Sequence, residues 1–329
     1  MSPGTMMSRH GTEPGSGIAD SLFDTSPPQL PDERSGLQRW KSSIAGKASA
    51  SIMPIVKKVA CPYVGGDTVD EAMCVADRLA GEGFATTLGY WDTGRDTARQ
   101  VADIYLNAVR RLSATNLDCY VSLKPPPLRF ASELADELAG VAATHRVRLH
   151  CDSHGTNVAD LSNAMLQGMA ARSGGNSLGT TLPGRWSRSL RDADWAIELA
   201  LNVRVVKGQW PDQEAPKRDM SAGFLEVVQR LAGRTQHVSV ATHDFPLACE
   251  AVERLRAEGT PCELEVLHGV PAKSLIRWAD KKGVKVRIYV PFGSGFLPNA
   301  IGVLKRNPRL IYAFAKERLV TAGGIIGTA

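Results

Sequence analysis

Polar side chains end or interrupt several short apolar segments of the sequence. The segment VRVVK at 203–207 contains an arginine and ends in a lysine, and LDCYVSL at 117–123 is followed by another lysine. The residues of this kind that could do chemistry are Tyr90 to Asp92, Lys124, His150, Asp152, Arg185, Arg188, Arg204, Lys207, Thr242, His243, Asp244, His268, Arg287 and Tyr289. Charged groups are rarely buried unless a partner neutralises them. We therefore expect an anionic group beside the cations of this set.

Some of these residues also have a purely structural interpretation. Lys124 precedes Pro125 and could pair with a neighbouring carboxylate at the rim of a loop. His243 and His268 could be hydrogen-bonded core histidines, which is the more frequent state of a lone histidine. Arg204 alternates with two valines, so on a strand its side chain faces the opposite side from theirs. A position pointing into a barrel mouth favours a functional role for Arg204.

The residues at the end of the predicted strand 147–151 also allow a metal site as an alternative. His150, Asp152 and His154 could in principle be ligands. A strand alternates its side chains, however, and these residues occur where the predicted strand becomes a loop. We therefore assign no metal site.

The polar residues lie at the ends of predicted strands that alternate with predicted helices. The predicted strands are 84–90, 117–123, 147–151, 178–182, 203–207, 238–241, 263–267 and 284–290. The predicted helices are 68–80, 97–112, 131–144, 158–171, 192–200, 222–232, 246–258 and 272–281. Eight such strands predict an α/β fold, a (β/α)₈ barrel of the TIM type, rather than an open doubly wound sheet. In these barrels the active site lies at the carboxyl ends of the strands, which is where the polar residues lie.

The composition and motifs exclude several classes of protein. Of the 329 residues, 43% are apolar and 22% are charged, which excludes global disorder and a disulfide-stapled mini-protein. The net charge of +5 is not gathered into one basic run, so no nucleic-acid partner is expected. Neither a G-x-G-x-x-G motif nor a P-loop motif occurs, so neither a Rossmann nor a P-loop fold is supported.

The distribution of cysteines and apolar segments bears on location and domain organisation. Six cysteines without a C-x-x-C pair, and no secretory signal before them, predict reduced thiols and a cytoplasmic protein. No apolar stretch approaches the ~20 residues of a transmembrane helix. We divide the chain into a disordered tail rich in Gly, Pro and Ser (1–36), a helical extension (37–56), the barrel (57–310) and a C-terminal segment (311–329).

Six short motifs follow one another in the order and spacing of a known family. They are SLKPPPL at 122–128, LHCDS at 149–153, VRVVKG at 203–208, ATHD at 241–244, VLHG at 266–269 and VRIYVPFG at 286–293. The last four resemble the successive strand-end signatures of the proline dehydrogenase family, and the first two extend the match. Each motif alone is weak, but the set is specific and covers about 57–309.

The resemblance implies a fold, a cofactor and roles for individual residues. The family consists of flavoenzymes on (β/α)₈ barrels that bind FAD non-covalently. They oxidise the C–N bond of proline to a cyclic imine by hydride transfer to the flavin, then pass electrons to quinone or another acceptor. The positions that match flavin contacts are Arg204, Lys207, Gly208, Thr242, His243 and Tyr289, and Trp210 is assigned to the cofactor site although the family has a tyrosine there. Lys124 and Asp152 are assigned to polar contacts with the substrate, and Leu267 and Tyr289 to the walls of its pocket.

The sequence departs from the family at the groups that hold the substrate carboxylate. The family pattern Y-x-x-R-R-x-x-E-R is absent after the eighth strand, where Asn299, Gly302 and Val303 replace the tyrosine and the paired arginines. Pro183 replaces a glutamine that contacts the flavin. We therefore expect a proline-like or other amine, rather than free proline, as the substrate. The alternative is a flavin-free barrel that binds a small molecule or carries out non-redox chemistry.

Lys124 and two further cations could replace the missing contact with the substrate carboxylate. Arg185 follows the fourth strand, and Lys305 follows the eighth. A lysine offers only a point charge, whereas an arginine can hold a carboxylate through two parallel hydrogen bonds.

Overall fold

The structure, a computed structural model, describes residues 64–296. The predicted tail (1–36), helical extension (37–56) and C-terminal segment (311–329) lie outside these residues, so this division of the chain stays a prediction. Asn299, Gly302, Val303 and Lys305 lie outside them as well. The predicted barrel (57–310) is described from 64 to 296.

Eight α-helices alternate with eight strands in this part of the chain. The helices are α1 (Val69–Gly81), α2 (Ala98–Ser113), α3 (Ser132–His145), α4 (Ala159–Ser173), α5 (Ser189–Glu198), α6 (Met220–Leu231), α7 (Phe245–Ala257) and α8 (Lys273–Lys281). The strands are β1 (Ala85–Tyr90), β2 (Cys119–Leu123), β3 (Leu149–Cys151), β4 (Leu178–Pro183), β5 (Asn202–Val206), β6 (Val238–Ala241), β7 (Cys262–Leu267) and β8 (Lys285–Phe292). Neighbouring strands are parallel and follow chain order, and β1 pairs with β8 to close the barrel. The predicted (β/α)₈ fold is confirmed.

Two element boundaries differ appreciably from the prediction. Helix α5 begins at Ser189, three residues before the predicted start, and Arg188 pairs with Asp192 across its first turn. Strand β8 continues through Pro291 to Phe292, because it stays paired with β1 as far as Tyr90. The other strand ends agree within one or two residues, which is the ordinary scatter of such boundaries.

Side chains cap the starts of several helices. Thr68 caps α1 and forms a reciprocal capping box with Glu71. Thr97 and Gln100 do the same for α2. Asp244 caps α7, so this carboxylate is held at the carboxyl end of β6.

The barrel separates an apolar outer core from a polar interior. Outward-facing strand residues such as Leu88, Val203 and Leu264 are fully buried beneath the helices. The inward-facing residues are largely polar, and the buried ones are Thr87, Tyr120, Ser122, His150, Thr181, Arg204, Ser239, Glu263, Glu265, Arg287 and Tyr289. Because buried charges are stable only when paired, this interior must be organised by ion pairs and hydrogen bonds. None of the helices within residues 64–296 has the length and apolar character needed to cross a bilayer.

Candidate active site

A pocket opens at the carboxyl ends of the strands and gathers nearly all of the predicted site residues. It encloses about 850 Å³ of empty space, part of it open to solvent. The predicted residues that line it are Lys124, Asp152, Arg204, Gly208, Trp210, Thr242, His243, Leu267 and Tyr289. Of the residues assigned to the cofactor or the substrate, Lys207 is the one that is not part of the pocket wall. The six motifs therefore converge on one surface of the barrel.

Asp152 is the centre of a hydrogen-bonded network on the floor of the pocket. Its Oδ1 accepts from Ser122 Oγ at 2.6 Å and from Arg204 Nη1 at 2.7 Å. Its Oδ2 accepts from Tyr289 Oη at 2.8 Å and from Lys124 Nζ at 3.1 Å. Both carboxylate oxygens thus have two donors each, which is the number a carboxylate oxygen can accept.

This network keeps Asp152 ionised. Burial alone would raise the pKa of Asp152, but the charges of Lys124 and Arg204 and the Ser122 hydrogen bond outweigh it. The pKa of Asp152 therefore lies well below its usual range. Burial and the Asp152 charge raise the pKa of the Tyr289 phenol, so Tyr289 stays protonated and donates to the carboxylate.

Arg204 lies one layer deeper and is bound by a second carboxylate, Glu265. The Nε and Nη2 atoms of Arg204 donate to the two oxygens of Glu265 at 2.8 and 2.9 Å. Nη2 also donates to Tyr120, and Nη1 donates to Asp152 and Ser122. All five N–H groups of this guanidinium are therefore used within the protein.

The expected anion beside the cations is thus supplied by the protein. Glu265 and Asp152 neutralise Arg204, and Asp152 also neutralises Lys124. Glu265 is only 2% exposed at its side chain, and sequence inspection missed it. The signal was present in the sequence, because CELEVL alternates two glutamates with apolar residues on a predicted strand.

Lys207 and Arg287 lie outside the pocket, although the sequence placed both among the candidate site residues. Lys207 Nζ donates to Asp244 Oδ2 at 2.7 Å, so its charge lies beside the cap of α7. Arg287 faces the amino-terminal end of the barrel, where it binds Glu263 and Asp118. Its position two residues before Tyr289 puts it on the same face of β8 but one layer deeper.

His243 is a hydrogen-bonded histidine at the junction of two strand ends. Its Nδ1 lies 3.2 Å from the carbonyl of Pro271, and its Nε2 accepts the N–H of Leu267 at 3.0 Å. Both ring nitrogens are therefore occupied in the neutral form. Burial lowers the pKa of His243 to about 4. The ring nitrogens of His243 are therefore those of a hydrogen-bonded core histidine, and its ring still lines the pocket.

The loop after β5 is fixed against the loop after β4. Gly208 has a φ of 95°, and a Cβ at this position would lie 2.6 Å from Cβ of Pro183. Arg185 Nη1 donates to the carbonyl of Gln209 at 2.6 Å, and Trp186 Nε1 donates to the carbonyl of Trp210 at 2.8 Å. Gly208 is thus required by both its backbone angle and its close neighbours. Arg185 is committed to the loop rather than to a substrate carboxylate.

Tyr289 is positioned by a strand residue that has no side chain. Gly89 on β1 lies opposite Pro291 in the pairing of β1 with β8, and a Cβ on Gly89 would overlap the Tyr289 hydroxyl. The phenol therefore reaches Asp152 and Lys124 across the barrel only because Gly89 leaves room.

Several wall residues of the pocket are not among the residues that the sequence assigned to the cofactor or the substrate. They are Trp91, Ser153, His154, Thr181, Val206, Gln209, Ala241, Glu265 and Val266. Most directly follow or lie within a predicted strand end, so barrel geometry could have found them. Lys124 Nζ lies 4.7 Å from the Trp91 ring centroid, a cation–π distance.

Three of these wall residues carry buried nitrogens that lack a hydrogen-bond partner among residues 64–296. They are Trp91 Nε1, Gln209 Nε2 and His154 Nδ1. Burial lowers the pKa of His154 to about 4, so its ring is neutral at ordinary pH. Unpartnered polar groups are costly, and a ligand with acceptor atoms would satisfy them. No three His, Cys, Asp or Glu side chains form a potential metal cluster within the described part of the chain.

Curated proteins with similar sequences are proline dehydrogenases. Proline dehydrogenase 1 of Bacillus subtilis subsp. natto is 25% identical over 254 residues, which covers 70% of this chain and 81% of that protein. Proline dehydrogenase of Deinococcus radiodurans is 22% identical over 250 residues, covering 70% and 80%. No protein-family model matches the chain.

Solved structures with the same fold include proline utilization A (PutA) proteins. PutA from Bdellovibrio bacteriovorus, inactivated by N-propargylglycine, superimposes with a TM-score of 0.67 at 15% identity over 87% of this chain. A PutA variant from Bradyrhizobium japonicum gives 0.62 at 17% identity over 88%. This chain spans only 36% and 35% of those chains, and such low identity shows the fold alone. Together, the sequence similarity to the curated proline dehydrogenases and the closed barrel support a proline dehydrogenase-like oxidoreductase.

Proposed function

We propose that this protein oxidises a C–N bond of an amine by hydride transfer to FAD. The substrate is proline or, in preference, a proline-like or other amine without a free carboxylate. The observation that carries the proposal is the pocket itself, which brings residues of the family motifs from six strands onto one surface.

The described residues fit a flavin in donor chemistry. Gly208 lines the pocket at the position that the resemblance assigns to the cofactor. The unpartnered nitrogens of Trp91 and Gln209 suit the carbonyl and hydroxyl oxygens of a flavin. A bound flavin would supply the hydride acceptor.

The part of this chain is to bind and orient the amine. Hydride transfer requires a neutral amine whose C–H bond points at the acceptor within near-attack distance. The network of Lys124, Asp152 and Tyr289 forms a rigid polar floor, because each member is bound by the other two. Leu267 and Trp91 add apolar walls that exclude water.

The charge balance of the pocket favours a substrate without a free carboxylate. Within residues 64–296, the charged pocket residues are Lys124, Asp152, Arg204 and Glu265, and each is paired with a group of opposite sign. Gly302 and Val303 stand where the family has its carboxylate-binding arginines. A carboxylate would therefore have to displace an existing ion pair, which is costly in a buried site.

A flavin-free barrel is the second candidate. Arg204 and His243, both predicted to contact a flavin, use their nitrogens within the protein. Pro183 also replaces a glutamine of the family. These observations favour a pocket that binds another small molecule.

One absorption experiment separates the two candidates. The full-length protein is purified, its visible spectrum recorded, and FAD added if the flavin bands are absent. We expect bound FAD whose bands bleach under anaerobic conditions with a carboxylate-free cyclic amine such as pyrrolidine or prolinamide, and bleach poorly with L-proline. Protein that is colourless and takes up no FAD supports the flavin-free barrel. Reoxidation of the bleached protein by a quinone, compared with other oxidants, identifies the electron acceptor.

A further inference from the structure

Glu265 stands apart from the other pocket residues because it acts on Arg204 rather than on the open cavity. Its two oxygens bind Arg204 Nε and Nη2 at 2.8 and 2.9 Å, and both side chains are at least 96% buried. Thr87 Oγ1 donates to Glu265 Oε1 at 3.1 Å, and Tyr120 lies 3.4 Å from Oε2. The carboxylate is therefore held from three strands.

The pairing removes the positive charge of Arg204 from the pocket. A bidentate arginine–carboxylate contact is short and fixed in direction. Burial would lower the pKa of Arg204, but Glu265, Tyr120 and Asp152 outweigh it, so the guanidinium stays charged and its charge is compensated locally. A cation beside a flavin stabilises the anionic reduced form more than the neutral oxidised form. Pairing of Arg204 with Glu265 reduces this preference for the reduced flavin.

We propose that Glu265 is a positioning residue that sets the reduction potential of the bound flavin by neutralising Arg204. This inference rests on the proposed function, because it concerns a bound flavin. The carboxylate holds Arg204 against the barrel wall and keeps the potential lower than an uncompensated arginine would. Replacing the carboxylate by an amide of the same shape should therefore raise the potential.

The test compares two glutamates on one strand. Glu263 lies two residues before Glu265 on β7, is 1% exposed at its side chain, and binds Arg287 Nε at 2.7 Å. It does not line the pocket. The variants Glu265→Gln and Glu263→Gln therefore remove equivalent charges from equally buried arginine pairs, and only the first pair faces the proposed flavin.

The measurement is the midpoint potential of FAD-loaded full-length protein, obtained by equilibration with redox dyes, together with the dissociation constant of FAD. Glu265→Gln should favour reduced over oxidised flavin by about tenfold relative to wild type, which is about 30 mV for a two-electron couple. Glu263→Gln should leave the potential unchanged, although both variants lose stability. If Glu265→Gln does not fold, Glu265→Asp serves instead. Its shorter carboxylate cannot span both nitrogens, so a smaller shift of the same sign is expected.

The outcomes separate this inference from the proposed function. Wild-type protein that binds FAD, with the same potential in Glu265→Gln, Glu265→Asp and wild type, overturns the inference and leaves the proposed function standing. Equal shifts in Glu265→Gln and Glu263→Gln also overturn it, because the effect would then be a general loss of charge. Wild-type protein that takes up no FAD overturns both.

Discussion

Two buried arginine–glutamate pairs lie in the interior of this barrel, and only one belongs to the pocket. Arg204 and Glu265 are at the carboxyl ends of the strands, whereas Arg287 and Glu263 are near the amino-terminal end. Both pairs are almost completely buried and have Nε–O distances of 2.8 and 2.7 Å. The first pair is bidentate and the second uses Nε alone. Burial and ion pairing are common to both, so they do not distinguish a functional site from a structural one. Position along the barrel axis distinguishes them.

The two pairs also differ in what surrounds them. Arg204 shares its donors with Asp152, which connects it to Lys124 and Tyr289 at the pocket floor. Arg287 instead donates to the carbonyl of Thr86 and to Asp118, a surface carboxylate. Loss of the first pair should therefore affect both stability and ligand binding, and loss of the second should affect stability alone.

Truncation of Arg204 should have the largest effect. Arg204→Ala leaves Glu265 buried without its partner and removes one donor from Asp152, so the free energy of unfolding should fall by about 3–5 kcal/mol. Flavin retention should fall with it, because the pocket wall loses its fixed side chain. Urea denaturation and the FAD content of the purified protein measure the two effects.

His237→Ala is the control for Arg204→Ala. His237 precedes β6 and lies 4.0 Å from Glu263, at the opposite end of the barrel. Equal FAD retention in the two variants would show that Arg204 does not belong to the cofactor site.

Truncation of Arg287 should have a smaller effect on stability. Arg287→Ala also strips a buried glutamate of its partner, but Arg148 lies 3.9 Å from Glu263 and remains as a second cation. We expect a loss of about 2–3 kcal/mol in the free energy of unfolding, with the FAD content of the folded protein unchanged. Urea denaturation and absorption spectra test this. Loss of FAD from stably folded Arg287→Ala protein would remove the distinction between the two pairs.

The comparison also explains how far sequence reasoning reaches. The alternation of helices and strands predicted the barrel, and the strand-end rule found Lys124, Asp152 and Tyr289, which the structure brings within hydrogen-bond distance of one another. The rule could not rank Arg204 above Arg287, since both alternate with apolar residues on a strand. Register between strands decides the depth of a side chain, and a single sequence does not contain register.

The partner of Arg204 was missed for a related reason. Glu265 lies on β7, two strands away from Arg204 on β5, and it meets the arginine only across the interior of a closed barrel. Gln209 was missed because it lies in a loop whose course depends on the neighbouring loop. Gly208 was found only through the resemblance of VRVVKG to a family motif.

Acid should destabilise the protein through the pocket end of the barrel. Burial lowers the pKa of His243 to about 4, whereas an unfolded histidine titrates near ~6.5. The unfolded chain therefore binds a proton at pH values where the folded protein does not, and stability falls as the pH decreases from about 6.5 to about 4. The contribution of His243 is at most about 3–4 kcal/mol.

The pH dependence is checked with His243→Gln. Urea unfolding of wild type and variant at pH 7 and at pH 4.5 gives the loss of stability for each. The variant should lose less stability on acidification, because it lacks the titrating group. Parallel losses in the two proteins would mean that other histidines, such as His154, carry the whole effect.

Truncation of Lys124 should give the smallest effect on the protein and a selective effect on the reaction. Lys124→Ala removes one of four donors to Asp152, and Arg204, Ser122 and Tyr289 remain, so the carboxylate stays paired and the barrel stays folded. Lys124 is absent from the motif positions that match flavin contacts, so the flavin spectrum should not change. Its ammonium lies on the pocket floor beside Trp91, where a substrate would contact it. The rate of flavin bleaching by the substrate amine should fall about 10–100-fold, which corresponds to about 1.4–2.7 kcal/mol of transition-state stabilisation.

Lys124→Met separates the charge of this residue from its bulk, because the methionine side chain still covers the Trp91 ring. Stopped-flow bleaching compares wild type, Lys124→Ala and Lys124→Met, and reduction by dithionite shows that each flavin is reducible. If Lys124→Met bleaches at the wild-type rate while Lys124→Ala does not, the lysine shapes the pocket through its stem. Loss of FAD from Lys124→Ala would instead place Lys124 in the cofactor site. The end of β2, which carries Lys124, would then contact the cofactor rather than the substrate.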